Sequence, residues 1–512
     1  MSASEVFEIR LPDEAATIAL GEDLALALNR GDLVTLSGDL GAGKSSLARA
    51  LIRTIANDES YEVPSPSFTL VQAYDELRLP IAHADLYRLS GGDELDELGF
   101  DEFLQDGAVL VEWPEQADGM LGTPAFAIEL RHPANGEQGR LVTITAQTNA
   151  AKRFTRSRAI RTFLEEHKRL FNAQPAKRRY LLGDASPRAY ETVSSDFGTE
   201  ILMNAPELTS EPLLPNGKTY RKTAHIAESC IPFSTIGKLI KAQGFRVPEI
   251  YAEDLANGFI LMEHLGVDGV LDENRQPIVT RYLEAARFLA HFHQVEWPLS
   301  VKVAGCDDYQ FAPFDRDAMM IEVDLLCSWY LPRITGKQPD EAQKQSYHDA
   351  WDEVFLKLAT AEKSLLLRDY HSPNLFWFEE KSGIDRIGMI DFQDAMNGPA
   401  AYDLASLALD ARVTIAAELE QQIIAAYCET RKSLEKAFDE AAFMSAYAIM
   451  GAQRNSKILG IFVRLDERDG KPHYLAHLPR IQDYLRRVLT HPDLKPVADW
   501  YEKYGLLTEK KP

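Results

Sequence analysis

The pattern of apolar and polar positions begins with short strand-like runs. Leu33, Val34, Thr35 and Leu36 predict a buried strand, followed by glycines and then a helix from Ser45 to about Ala56. FTLVQAY, IAHADLY and AVLVEW predict further strands, and LRHPANGEQGRLVTITA a hairpin that closes near Gln147. The first part of the chain therefore reads as α/β. Ile160, Phe163, Leu164, His167 and Phe171 then fall at i, i+3, i+4, i+7 and i+11, which predicts an amphipathic helix with a basic outer face. That helix is expected to open a second domain, with the boundary near residue 150. RRYLLGDA, AYETVSS and TEILMNA read as strands leading through to FILMEHLG at 259–266. From about residue 280, long helical patterns such as RYLEAARFLAHFHQV dominate. A small mixed lobe (151–266) followed by a helical lobe (267–512) predicts a bilobal kinase-like fold. SEPLLPNGKTY reads as an insertion loop.

Composition changes this picture mainly through charge. The 512 residues allow about two to four domains, and 45% apolar with 26% charged content is ordinary for a soluble globular chain. No apolar run reaches the roughly 18 residues of a membrane helix, and the first residues lack a signal-peptide pattern. Cys230, Cys306, Cys327 and Cys428 show no metal-ligand spacing. A reduced cytoplasmic protein without membrane contact is expected. The net charge of −23 is unevenly spread. Residues 1–150 hold 9 Lys/Arg against 26 Asp/Glu, a net of −17, whereas residues 151–180 hold 10 basic and 2 acidic residues, a net of +8. An acidic first domain repels a phosphate backbone, so it is not expected to grip RNA by itself. The basic segment either touches RNA or lies solvated or against the acidic domain, and the latter reading is preferred.

Gly38, Asp39, Leu40, Gly41, Ala42, Gly43, Lys44 and Ser45 match G-x-x-x-x-G-K-S/T. Glycines let backbone N–H groups curl around phosphates at a helix N-terminus, Lys44 reaches the outer phosphates, and the Ser45 hydroxyl can ligate Mg²⁺. Asp85 and Glu112, each ending an apolar run, are candidate acidic partners of that metal. GDLGAGKSS (which includes Ser46), VPSPSFTLV, HADLYRL, ELDELGFDEFL and EWPE occur in this order. Together they resemble the TsaE family, the ATPase subunit of the bacterial tRNA threonylcarbamoyladenosine machinery. The resemblance covers about residues 5–147. It implies an ATPase that works with the other subunits of that complex and meets tRNA only indirectly. It further implies that Asp85 and Glu112 hold the metal with Ser45, that Ser65–Phe68 is a switch-like loop, and that Trp113 packs near the nucleotide, with a core aromatic as the equal alternative.

The second constellation is a catalytic loop. Asp369 and Asn374 stand in D-x-x-x-x-N after an apolar run, and Asp391 ends another strand 17 residues past Asn374. Phosphoryl transfer from Mg-ATP needs one Asp to accept a hydroxyl proton, and an Asn and a second Asp to hold metal. The order resembles the aminoglycoside phosphotransferase superfamily, which implies Asp369 as base and Asn374 and Asp391 as Mg²⁺ ligands. Asp403, in the following helix, is expected to be structural. Gly183–Tyr190 resembles a nucleotide-covering loop, and the stretch 453–460 with Arg468–Lys471 resembles the AmgK type of amino-sugar kinase, over about 153–490. This implies phosphorylation of N-acetylmuramate or N-acetylglucosamine at the anomeric hydroxyl, in cell-wall recycling. Arg454 and Lys457 are read first as helix-surface charges and second as substrate contacts. The strand Glu200–Pro206 carries no lysine, so the phosphate anchor of the small lobe is unassigned. The alternatives for this half are another small hydroxyl acceptor or a silent docking module, and retention of Asp369, Asn374 and Asp391 argues against the second.

Overall fold

The computed structural model describes residues 4–89, 95, 98–133, 137–181, 188–207, 211–214, 217–303 and 308–507. It forms two compact units, Met1–Ala205 with Tyr251–His264, and Pro206–Ile250 with Leu265–Pro512.

In the first unit, a seven-stranded sheet contains β1 (Ser4–Leu11), β2 (Leu33–Ser37), β3 (Val71–Tyr74), β4 (Ile81–Asp85), β5 (Ala108–Glu112), β6 (Phe126–Arg131) and β7 (Arg140–Gln147) in the order β1–β7–β6–β2–β5–β4–β3. The inner strands β6, β2, β5 and β4 are parallel, while β1, β7 and β3 join the sheet antiparallel. β4 and β5 are buried along their whole length, as expected of parallel strands covered on both faces. Helices α1 (Glu14–Ala25) and α2 (Lys44–Ala56) pack Leu20, Leu24, Leu47 and Leu51 onto Leu36, Leu110 and Ile128. On the opposite face, Phe100 and Phe103 of α3 (Phe100–Asp106) pack against the cluster containing Val109 and Val111.

The same unit holds a five-stranded sheet: β8 (Lys177–Leu181), β9 (Ala189–Ser195), β10 (Gly198–Asn204), β11 (Ile250–Asp254) and β12 (Phe259–Glu263), in the order β8–β9–β10–β12–β11. Between the sheets runs α4 (Thr148–Glu166). The expected helix is present, but it begins earlier and ends at Glu166, so Phe171 lies beyond it in a two-residue strand. The anticipated boundary near residue 150 falls inside α4, because this helix serves two cores. Ala150, Ala151 and Phe154 belong to the core of the first sheet, whereas Ile160, Phe163 and Leu164 pack with Val193 and Leu202 of the second.

The basic outer face expected for α4 is solvated only in part, as at exposed Lys152. Arg158 and Arg161 of α4, with Arg178 and Arg179 of β8, converge on Glu22 and Asp23 of α1. Asp23 and Arg178 are 0% exposed, and Arg178 Nη1 donates to Asp23 Oδ1 at 2.7 Å while its other edge meets Glu191. These four arginines thus pair within the molecule, as in the intramolecular alternative.

The second unit is mainly helical, with α5 (Ile231–Ala242), α6 (Val279–His293), α7 (Arg316–Leu325), α8 (Glu341–Leu356), α9 (Ala401–Ala408), α10 (Ala417–Leu434), α11 (Glu440–Glu467), α12 (Leu478–Val488) and α13 (Lys495–Lys503). Two short antiparallel ribbons, Lys363–Leu366 with Met396–Pro399 and Leu375–Trp377 with Ile387–Met389, bracket the loops that carry Asp369 and Asp391. α11 lies against α7 so closely that a Cβ at Gly460 would sit 2.2 Å from the carbonyl carbon of Leu325. Among the described residues no helix is long and apolar enough to cross a membrane.

Candidate active sites

The first site lies at the C-terminal ends of β2, β4 and β5, where an α/β sheet leaves a crevice beside the point at which strand order reverses. Chain direction reverses sharply after Ser37. Gly38 has φ +129°, and a Cβ there would meet Leu130 O at 2.2 Å, so only glycine fits. Gly43 (φ +107°) then starts α2. Lys44 is 5% exposed, and its Nζ donates to Gly38 O (2.6 Å) and Asp39 O (3.1 Å) while lying 3.5 Å above the Trp113 ring. Burial pulls its pKa below the ordinary lysine value, against the opposing pull of Glu112, Glu115 and Asp85.

Asp85 and Glu112 are cross-strand neighbours at the ends of β4 and β5. Ser45 Oγ donates to Glu112 Oε2 at 2.8 Å, and Ser67 Oγ to Asp85 Oδ2 at 2.7 Å. Leu40, Gly41, Gly43, Lys44, Ser45, Ser46, Asp85, Glu112 and Trp113 line one cavity of about 300 Å³. Gly38, Asp39 and Ala42 complete the loop without lining it. Trp113 holds a left-handed backbone (φ 60°), and its ring lies 5.0 Å from Tyr87 while also packing on the Val109–Val111 cluster.

The second site is built on the loops of the helical unit. Asn374 Nδ2 donates to Asp369 O (2.9 Å) and to Asp391 Oδ2 (3.3 Å), so the three expected residues are brought together. Arg368 (φ 70°) and Asp391 (φ 64°) are non-glycine residues in the left-handed region, strain that is typical of reactive loops. Asp403, fully buried, accepts the N–H groups of Leu367 (2.8 Å) and Arg368 (2.9 Å) and so fixes the loop from behind. Burial pushes the Asp369 carboxyl up, but His371, 3.8 Å away, then Lys457 and Arg368, outweigh it and hold the group well below the usual carboxylate range. Asp369 is thus an anion at neutral pH.

The chain matches a family model described as threonylcarbamoyl adenosine biosynthesis protein TsaE over residues 11–142, and one described as phosphotransferase enzyme family over residues 177–440. It is 32% identical over 339 residues to an N-acetylmuramate/N-acetylglucosamine kinase of Caulobacter vibrioides, spanning 64% of this chain and 92% of that one. It is 34% identical over 148 residues to a tRNA threonylcarbamoyladenosine biosynthesis protein TsaE of Haemophilus influenzae, spanning 28% of this chain and 90% of that one. The chain belongs to both families.

A choline/ethanolamine kinase family structure from Mesorhizobium loti is 14% identical and covers 64% of this chain and 92% of that one, with a TM-score of 0.39. The TsaE-family domain is a P-loop ATPase domain and the phosphotransferase domain an ATP-dependent kinase domain, both from families that use ATP.

The structure corrects one expectation in the phosphotransferase domain. Arg454 and Lys457 are not helix-surface charges, because α11 is enclosed on most sides. Arg454 is 4% exposed, and Lys457 Nζ donates at 2.8 Å to Glu322 Oε1, a fully buried carboxylate that also takes Arg368 and Gln453. Glu322 itself went unnoticed in the sequence, where it is one acid in an ordinary amphipathic helix. His83 was also missed: its Nε2 lies 3.0 Å from Glu112 Oε1, buried beneath the P-loop site. The resemblance to HADLYRL was the available signal for it. The proposed nucleotide-covering segment Gly183–Tyr190 lies mostly outside the described residues, as does part of ELDELGFDEFL.

Proposed function

We propose that the chain is a bifunctional ATP-dependent enzyme of the cytoplasm. Its TsaE-family domain hydrolyses ATP in support of tRNA threonylcarbamoyladenosine formation, together with the other subunits of that complex. Its phosphotransferase domain phosphorylates N-acetylmuramate or N-acetylglucosamine at the anomeric hydroxyl, a step of cell-wall recycling. The domain ranges that go with this reading are 1–150 and 151–512.

The observation that carries the kinase reading is the convergence of Asp369, Asn374 and Asp391 in one loop pair, joined to the likeness to amino-sugar kinases over most of their length. Asp369 accepts the proton of the sugar hydroxyl as its oxygen bonds to the γ-phosphorus and the bond to the β-phosphate oxygen breaks, releasing ADP. Asn374 and Asp391 would hold Mg²⁺ through oxygen, and the bound ion would offset charge on the phosphates. Incubation of the full chain with either sugar and Mg-ATP, followed by NMR assignment of the phosphorylated carbon, is expected to place phosphate on C1. Transfer to another carbon, or only to unrelated alcohols, would refute the acceptor.

In the TsaE-family domain, Gly38–Ser46 would cradle the phosphates of ATP with Trp113 beside the nucleotide. Ser45, Asp85 and Glu112 form an all-oxygen set that suits Mg²⁺, an ion that keeps several waters and takes few protein ligands. The net charge of −17 in residues 1–150 argues that tRNA reaches this domain only through partners. Lys44→Ala removes an ammonium that lines the cavity. ATP affinity at this site is expected to fall by about 10-fold or more, the scale of a lost charge-assisted phosphate contact. Titration with a fluorescent ATP analogue checks this, and undiminished affinity at the site would sink the P-loop assignment.

A further inference from the structure

We propose that one face of α11 forms an anion subsite for the acceptor, with Arg454 and Arg464 as its specificity-determining residues. This rests on the amino-sugar reading above and extends it from the reacting hydroxyl to a second group on the substrate.

Arg454, Lys457, Ile461 and Arg464 stand at i, i+3, i+7 and i+10, which places them on a single face of α11, and Arg468 follows as its C-cap. The stripe starts beside the catalytic loop. Lys457 shares Glu322 with Arg368, the residue preceding Asp369, and the Lys457 charge acts on Asp369 directly. One turn back along α11, the Arg454 charge acts on buried Tyr402, which also feels Asp369. Two turns onward, the Arg464 guanidinium lies 5.9 Å from the Tyr220 ring, and Tyr220 in turn feels Glu322, Lys457 and Arg368. The cationic face and the base Asp369 therefore share one neighbourhood.

Among the described residues, buried Arg454 and half-buried Arg464 differ from four buried arginines in having no carboxylate contact. Arg161, Arg178, Arg368 and Arg431 each contact a carboxylate. Arg454 and Arg464 make no such contact among the described residues, and Nη1 of Arg454 and Nε of Arg464, like Nε of Arg431, are buried there without a hydrogen-bond partner. Burial pulls the Arg464 pKa down, and Tyr220 and then Asp469 only partly restore it. A buried guanidinium whose donors are unmet is costly unless an anion arrives to meet them. A planar carboxylate matches the guanidinium fork. N-acetylmuramate and N-acetylglucosamine share a ring and differ by the lactyl ether of the former, which ends in a carboxylate. The subsite is the place where this enzyme distinguishes them.

The test uses the full chain with Arg454→Gln and, separately, Arg464→Gln, the latter at a half-buried position that tolerates the change more easily. Steady-state kcat/KM is measured for N-acetylmuramate and N-acetylglucosamine, together with KM for ATP. In each variant the ratio of kcat/KM for N-acetylmuramate to that for N-acetylglucosamine is expected to fall by about 30-fold or more, the scale of a lost buried charge pair. An unchanged ratio, whatever the absolute loss, overturns the subsite. A raised KM for ATP with an unchanged ratio reassigns the arginines to the donor phosphates and overturns it as well. Wild-type turnover of N-acetylglucosamine alone overturns the subsite but leaves the kinase reading standing, whereas turnover of neither sugar overturns both.

Discussion

Replacing Asp369 with asparagine is expected to slow sugar phosphorylation by about 10²-fold or more, the scale for a positioned general base. The amide keeps nearly the same shape, and the bonds that hold the loop are made by the main chain and by Asn374 and Asp403, so folding is preserved. What is lost is the acceptor of the hydroxyl proton and a negative charge that His371, Lys457 and Arg368 are arranged to keep ionised. Because that arrangement lowers the Asp369 pKa, the base form persists on acidification. In the wild type, loss of activity through protonation of Asp369 is confined to pH values below the usual carboxylate range. The measurement is ADP release dependent on added sugar, made in a Lys44→Ala background so that turnover at the P-loop does not obscure it. Sugar-dependent turnover that survives intact in the asparagine variant would remove Asp369 from the mechanism.

The largest effect on stability is expected at Asp23. Its carboxylate is fully buried and meets Arg158, Arg161 and Arg178, which come from two different elements. Asp23→Ala leaves two fully enclosed guanidiniums, Arg161 and Arg178, short of a counter-charge. Breaking a buried pair in this way costs about 3–5 kcal/mol. Glu22 and Glu191 remain to take part of the load, so the lower end of that range is expected. Burial pushes the Asp23 pKa up, but the three arginines outweigh it and hold it below the ordinary carboxyl value. Its contribution is therefore present above the unfolded-state pKa and is lost as pH falls through the lower folded-state value. Urea unfolding of wild type and variant at pH 7 and under acid checks both statements. A midpoint unchanged at pH 7, or a difference that grows as pH falls, would contradict them. The same network bears on separate expression of the two halves. Cutting near residue 150 splits α4 between its two cores and strips Glu22 and Asp23 of their arginines.

Both active sites were legible as words in the chain because each is local. A phosphate-binding turn requires Gly38 and Gly43 at fixed offsets from Lys44, since backbone at positive φ and a carbonyl 2.2 Å from any Cβ leave no choice of residue. Asp369, Asn374 and Asp391 are likewise held by two short ribbons close in sequence. Hydrophobic periodicity placed the strands and long helices for the same reason, as it records which side of each element faces a core. It could not say what a charged side faces. An arginine stripe on a solvated helix and one sunk into a carboxylate network have the same spacing, and only long-range partners distinguish them. Arg161 meets Asp23 across 138 residues, and Lys457 meets Glu322 across 135. The tertiary structure alone decided that α4 is shared between two cores, and that Arg454 and Lys457 lie inside the protein, with the Lys457 charge acting on Asp369. The reason is that burial of a charge depends on where its counter-charge sits in space, not on its distance along the chain.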